Sequence, residues 1–92
     1  MQIEFDEQKR ARTLNDRGLD FRDAEIIFAG EHYTLQDLRQ SYSESRFVTV
    51  GWLNQQMVLM VWTPRGHKRR IISMRKCNER ERRIYEKTIH PQ

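Results

Sequence analysis

A chain of 92 residues with 37% hydrophobic and 33% charged residues makes one small domain with a thin core, and its nine aromatics argue against a disordered chain. No apolar run approaches the ~20 residues of a membrane span, the opening "MQIEFDEQKR" lacks the apolar centre of a signal peptide, and the single cysteine, Cys77, rules out an internal disulfide framework, so a soluble cytoplasmic protein is expected. The net charge of +4 is unevenly placed: from Arg65 onward ten Lys/Arg face three Glu (+7), whereas residues 1–64 carry seven Lys/Arg against ten acids (−3), which points to a polyanion or an acidic partner at the basic end.

"QIEF" predicts a short first strand. Asp6 is placed to cap a helix through about Arg17, with Ala11 and Leu14 as its narrow apolar stripe, and Gly18 stands where a left-handed helix stop belongs. Asp20 caps a second helix with Asp23 in its first turn. Phe21, Ala24, Ile27 and Phe28 share one face of that helix, and Ala29–Gly30 ends it. The two helices form a hairpin.

"HYTLQDL" is a further strand. "RFVTVGWL" alternates, with Arg46, Val48, Val50 and Trp52 on one face and Phe47, Thr49 and Leu53 on the other. "NQ" makes a tight connection. The continuous apolar run Met57–Trp62 is a central strand covered on both faces. "TPRG" reads as a type I turn with Pro64 second and Gly66 fourth. "KRRIISMR" is the next strand; strict alternation puts Arg69, Ile71, Ser73 and Arg75 on one face and Arg70, Ile72 and Met74 on the other. Asn78 and Glu81 form a capping box for a last helix, in which Glu79–Arg83 and Arg82–Glu86 are favourably ordered i, i+4 pairs. Ile84, Tyr85 and Ile89 are its packing residues, and Pro91 closes the chain. The expected fold is α+β in one domain over residues 1–92: a short strand, a helical hairpin, an antiparallel meander and a C-terminal helix. The hairpin covers one face of the sheet and the last helix part of the other.

The order of motifs resembles the BrnT family of bacterial type II toxins, the ribonuclease partners of BrnA antitoxins. The resemblance rests on "FDEQK", "GLDFRDA", "ESRFVTVG", "VLMVWTPRG" and "RIISMRKCNERERRIYE". It implies a RelE-like ribonuclease fold, RNA cleavage without a metal, and neutralisation by a BrnA-like antitoxin whose DNA-binding half is ribbon-helix-helix, so that DNA is met only through the antitoxin. The chain differs from the family pattern in two places: Asp16-Arg17-Gly18 stands where Lys-His-Gly is usual, and Ser43 replaces a glycine ahead of Glu44 and Arg46.

The chemistry of the residues is compatible. RNA is cut without metal when a protein orients the 2′-hydroxyl, neutralises the phosphorane and moves two protons. Arginine suits the phosphate because its planar fork gives paired, charge-assisted hydrogen bonds. Arg75, at a strand exit, and Arg46, opening another strand, are the leading phosphate ligands, with an ion pair to Glu44 as the plain alternative for Arg46. Glu44, Glu81, Tyr85 and His67 are the acid–base candidates; Glu81 is first of all a capping-box residue and Tyr85 first of all a packing one. Arg69, Arg70, Lys76, Arg80, Arg82 and Arg83 are expected to track the RNA backbone. His32, His67 and His90 lie far apart and only one Cys is present, so no metal site or other cofactor is expected. A non-catalytic nucleic-acid-binding or interaction module using the same basic end is the competing reading.

Overall fold

The computed structural model describes residues 2–39 and 41–89. The elements run β1 (Gln2–Phe5), α1 (Glu7–Arg17), a 3-10 turn (Phe21–Asp23), α2 (Ala24–Ala29), β2 (His32–Gln36), β3 (Phe47–Leu53), β4 (Gln56–Arg65), β5 (Lys68–Lys76) and α3 (Glu79–Tyr85). They form one five-stranded sheet in the order β1-β5-β4-β3-β2. Strands β2 to β5 make the expected antiparallel meander. β1 returns to the far edge and pairs with β5 in parallel, so the α+β fold carries a mixed sheet. Pro91, expected to close the chain, and His90 lie outside the described residues.

β4 is buried on both faces, as its unbroken apolar run requires. Val58, Met60 and Trp62 face the 3-10 turn and α2, packing with Leu19, Phe21, Ala24, Ile27, Ile71 and Met74, so the first helix of the expected hairpin takes no part in this cover. Met57, Leu59 and Val61 face the other side with Val48, Val50, Cys77 and Ile89, and Tyr85 of α3 packs there. Of the packing residues expected in the last helix, Ile89 is buried and Tyr85 half-buried, while Ile84 is 57% exposed.

Gly18 ends α1 at φ +70° with its N–H donating to the Leu14 carbonyl. Asn54 and Gln55, at φ 49° and 66°, give the β3–β4 hairpin the two left-handed residues of a type I′ turn. Two expectations fail. No residue of α1 is buried and Leu14 is 39% exposed, so Ala11 and Leu14 do not anchor the helix. Instead Arg10 pairs with Glu7 at 2.6 Å and Asp20 at 3.3 Å, and Arg17 donates to the Met74 carbonyl at 2.9 Å. β1 pairs only with Lys68–Ile71; α1 then lies beside the rest of the β5 edge and covers it, one way proteins blunt an open edge.

The second failure is the "TPRG" turn. Pro64 lies inside β4, paired with Arg69, and the turn is Gly66–His67, closed by the Arg65–Lys68 pair. Gly66 takes φ +60°. β3 pairing ends at Phe47, opposite Trp62, so one side of β4 is open from Thr63 onward and a proline without an N–H is tolerated there.

Candidate active site

One irregularity in β5 decides which arginines share a surface. Val61 pairs with Ser73 but Trp62 pairs with Ile71, leaving Ile72 as the extra residue of a bulge. Directly paired residues point to the same face. Arg69, Ile71 and Met74 therefore face α2, and Arg70, Ser73 and Arg75 face the other side. This corrects the strict alternation expected from sequence, which grouped Arg69 with Arg75. Arg69 instead closes an aromatic cluster, its guanidinium 3.9 Å from the Phe28 ring centre and 5.2 Å from that of Trp62.

On the face opposite α2, α3 leaves part of the sheet open, and hollows floored by Ile72 and Ser73 lie there, between the sheet and α1. The larger, about 470 Å³, is bounded by Lys9, Glu44, Arg46, Arg65 and Arg70. A second, about 250 Å³, shares Lys9 and Ile72 with it and continues past Arg12 and Ser73 to Asp16 and Arg17. Six cations around one uncovered face of β5 and its neighbours make a surface of phosphate-binding character. Sequence reading missed Lys9, Arg12 and Arg65. Lys9 and Arg12, three apart, share a side of a helix, but nothing local says that this helix borders the sheet.

Arg46 is the cation of this group with a buried donor left unpaired among the described residues. One guanidinium nitrogen donates to Glu44 at 3.4 Å, a long and weak contact, and its Nε is buried with no partner among the described residues. Its guanidinium stacks on Tyr42, 4.3 Å from the ring centre. Arg70 gives one nitrogen to Glu4 at 2.8 Å, which ties β5 to β1 and leaves its other donors for a ligand.

Arg75 stands apart. It makes a two-pronged pair with Glu81, both bonds 2.8 Å, and Glu81 also accepts from the Asn78 amide at 2.9 Å within the capping box. The Arg75 hydrogen bonds and charge hold the Glu81 carboxyl well below the usual range, at about 2. At neutral pH Glu81 is therefore a fixed carboxylate that anchors α3. Arg75 and Arg46 share a face but border different hollows, Arg75 lying beside Leu35, Leu59 and Tyr85. Burial pushes the Tyr85 phenol up, so it stays protonated. His67 sits exposed in the β4–β5 turn, at the far end of β5 from Arg75. Lys76, Arg80, Arg82 and Arg83 are exposed around α3, and Arg82 reaches Glu86 at 3.5 Å. Burial raises the Cys77 thiol to about 11, which suits a packing residue.

The Glu81 pair carries a pH signature. A carboxyl whose folded pKa is depressed stabilises the fold above its unfolded value and loses that contribution as pH falls. Stability is expected to drop between about pH 4.5 and about 2, and Glu81→Gln is expected to flatten that part of the profile. Urea midpoints at pH 6 and pH 3 for both proteins check this; equal drops would place the acid sensitivity elsewhere.

Among the described residues no three His, Cys, Asp or Glu side chains cluster as metal ligands, and no helix is long and apolar enough to cross a membrane. No curated protein matches the chain. The family model described as "Ribonuclease toxin, BrnT, of type II toxin-antitoxin system" matches residues 5–81, a span that takes in the whole sheet apart from the first three residues of β1, together with every cation around the open face. The chain therefore belongs to the BrnT family of ribonuclease toxins of type II toxin–antitoxin systems.

Proposed function

We propose that the chain is a cytoplasmic, RelE-like endoribonuclease that cuts RNA without a metal, at the open sheet face around Arg46 and Arg70. The observation that carries this is Arg46: a guanidinium held in place by Tyr42, with a buried, unpartnered Nε, in a hollow shared with Arg70, Lys9 and Arg65. Arg46 and Arg70 hold the scissile phosphate and neutralise the charge that grows on it. Glu44, beside Arg46, takes the proton of the attacking 2′-hydroxyl, and Lys9 gives one to the leaving 5′-oxygen. Arg12 and Arg65 track the flanking phosphates. Arg75 and Glu81 act on α3 and on the wall of the neighbouring hollow, with Tyr85 beside them.

The chain has Arg17 where its family usually has a histidine, and Arg17 is bonded to the Met74 carbonyl. Acid–base work therefore falls to the Glu44 side of the face. Cleavage of single-stranded RNA is expected to survive a chelator, and loss of activity in EDTA restored by a divalent cation would overturn the metal-free mechanism. The partner is a BrnA-like antitoxin with a ribbon-helix-helix DNA-binding half, and DNA is met only through it. Co-expression with the product of the adjacent reading frame is expected to give a complex in which cleavage is silenced. A co-expressed neighbour that neither binds nor inhibits would remove this part of the reading.

A further inference from the structure

We propose that the loop between β2 and β3 builds a pocket for one unpaired nucleobase, next to the phosphate held by Arg46. The inference rests on the ribonuclease reading and adds to it what the site reads. Described residues of the loop line an open hollow of about 310 Å³ that adjoins the cation-lined one at Glu44 and Arg46, a volume at the lower end of small-ligand pockets, about 300–1,000 Å³. Gln36, Ser41, Ser43 and Ser45 line it. Amides and hydroxyls both donate and accept, which is the chemistry that reads the edges of a splayed-out base.

The charge deepest in this hollow is already used. Asp37, with its side chain 1% exposed, accepts from Arg39 Nε and Nη2 at 2.8 Å each, from the Arg39 amide at 3.2 Å and from the Tyr42 hydroxyl at 3.0 Å. Those bonds push its carboxyl far below the usual range, so it carries a spent charge. Glu44 and Arg46, 3.4 Å apart, stand at the border with the cation-lined hollow, where they serve the phosphate. The hollow therefore suits a neutral polar group better than an ion.

The walls are held as a binding site requires. The Asp37 amide donates to the Arg46 carbonyl at 2.8 Å, closing the loop at its base, and Thr63 Oγ1 donates to the Ser45 carbonyl at 2.6 Å. Tyr42, anchored through its hydroxyl, lies against the Arg46 guanidinium. Arg46 borders both hollows, so a phosphate on one side and a base on the other belong to adjoining parts of one strand.

The test is binding of short single-stranded 2′-O-methyl oligoribonucleotides, which cannot be cut, made of A, C, G or U alone. Fluorescence anisotropy gives their affinities for the wild type and for Ser41→Ala/Ser43→Ala, two exposed positions whose loss leaves the fold intact. The wild type is expected to prefer one base by about three- to tenfold, the size of one or two net hydrogen bonds, and the double variant to bring the four affinities together. Equal binding of all four by the wild type, or full preference retained by the variant, overturns the base pocket. Base-selective binding without cleavage of unmodified RNA would overturn the ribonuclease reading and leave the pocket standing.

Discussion

Arg46→Ala is expected to lower single-turnover cleavage of RNA at saturating protein by about 10² to 10³, the usual effect of removing one donor to a charge that develops in the transition state. The fold should be kept, because among the described residues the Arg46 side chain has only a long hydrogen bond to Glu44 and the face of Tyr42, and its backbone bond to Asp37 survives the substitution. Arg46→Lys should recover only part of the rate, since an ammonium supplies the charge but not the paired planar donors. Arg82→Ala is the contrast: an exposed cation on α3, 3.5 Å from Glu86, is screened and individually worth about 1 kcal/mol or less. It should weaken binding slightly and leave the cleavage step alone. Circular dichroism controls for folding. Equal, small losses from Arg46→Ala and Arg82→Ala would mean that the basic side chains form one undifferentiated binding surface, and the non-catalytic reading would then be the better one.

The largest effect on stability is expected at Gly51. Strand propensity predicts that valine would improve this position. Tertiary packing predicts the reverse, because a Cβ on Gly51 would sit 2.6 Å from Ile27 Cγ2, 3.2 Å from His32 Cβ and 3.4 Å from the Glu31 carbonyl. Ile27 is fully buried and its γ-methyl is one bond from Cβ, so it has nowhere to swing. Gly51 is the gap that lets α2 lie directly on β3. Overpacking here should cost about 3 kcal/mol for Gly51→Val and somewhat less for Gly51→Ala, a fall in Tm of roughly 12–24 °C for a chain of this size. Thermal melts of both variants check the order and the sign. A Gly51→Val protein as stable as the wild type would show that α2 is not seated on β3 at this point.

Much of the fold was legible because it depends on local chemistry. Gly18 past the end of α1, the Asn78–Glu81 capping box and the two-residue Asn54–Gln55 turn are each set by a few adjacent residues, and each forms as expected. The apolar run of β4 demanded a cover on both faces and received one. The site was legible only in outline. The arginine-rich end was plain, and Arg46 and Arg70 do border one hollow; Arg75, the stronger candidate by sequence, is paired with Glu81 beside a different hollow. Lys9 and Arg12 gave no warning, because they lie on a helix with no buried residue, and hydrophobic periodicity is silent about such a helix.

What the sequence determined by itself is therefore the set of elements, the Gly18 stop, the Asn78–Glu81 capping box, the Asn54–Gln55 turn, the burial of β4 and the chemistry of the basic end. Each follows from interactions between residues close in the chain or from the simple need to hide apolar surface. What only the tertiary structure decided is where the charges point. The parallel pairing of β1 with β5 joins the first strand to the last and leaves the rest of the β5 edge to α1. The bulge at Ile72 turns Arg69 toward the aromatic cluster and Arg70 toward the open face. A strand has a period of two, so one extra residue exchanges its faces for everything that follows. That residue is visible only against the partner strand, in the pairing of Val61 with Ser73 and of Trp62 with Ile71.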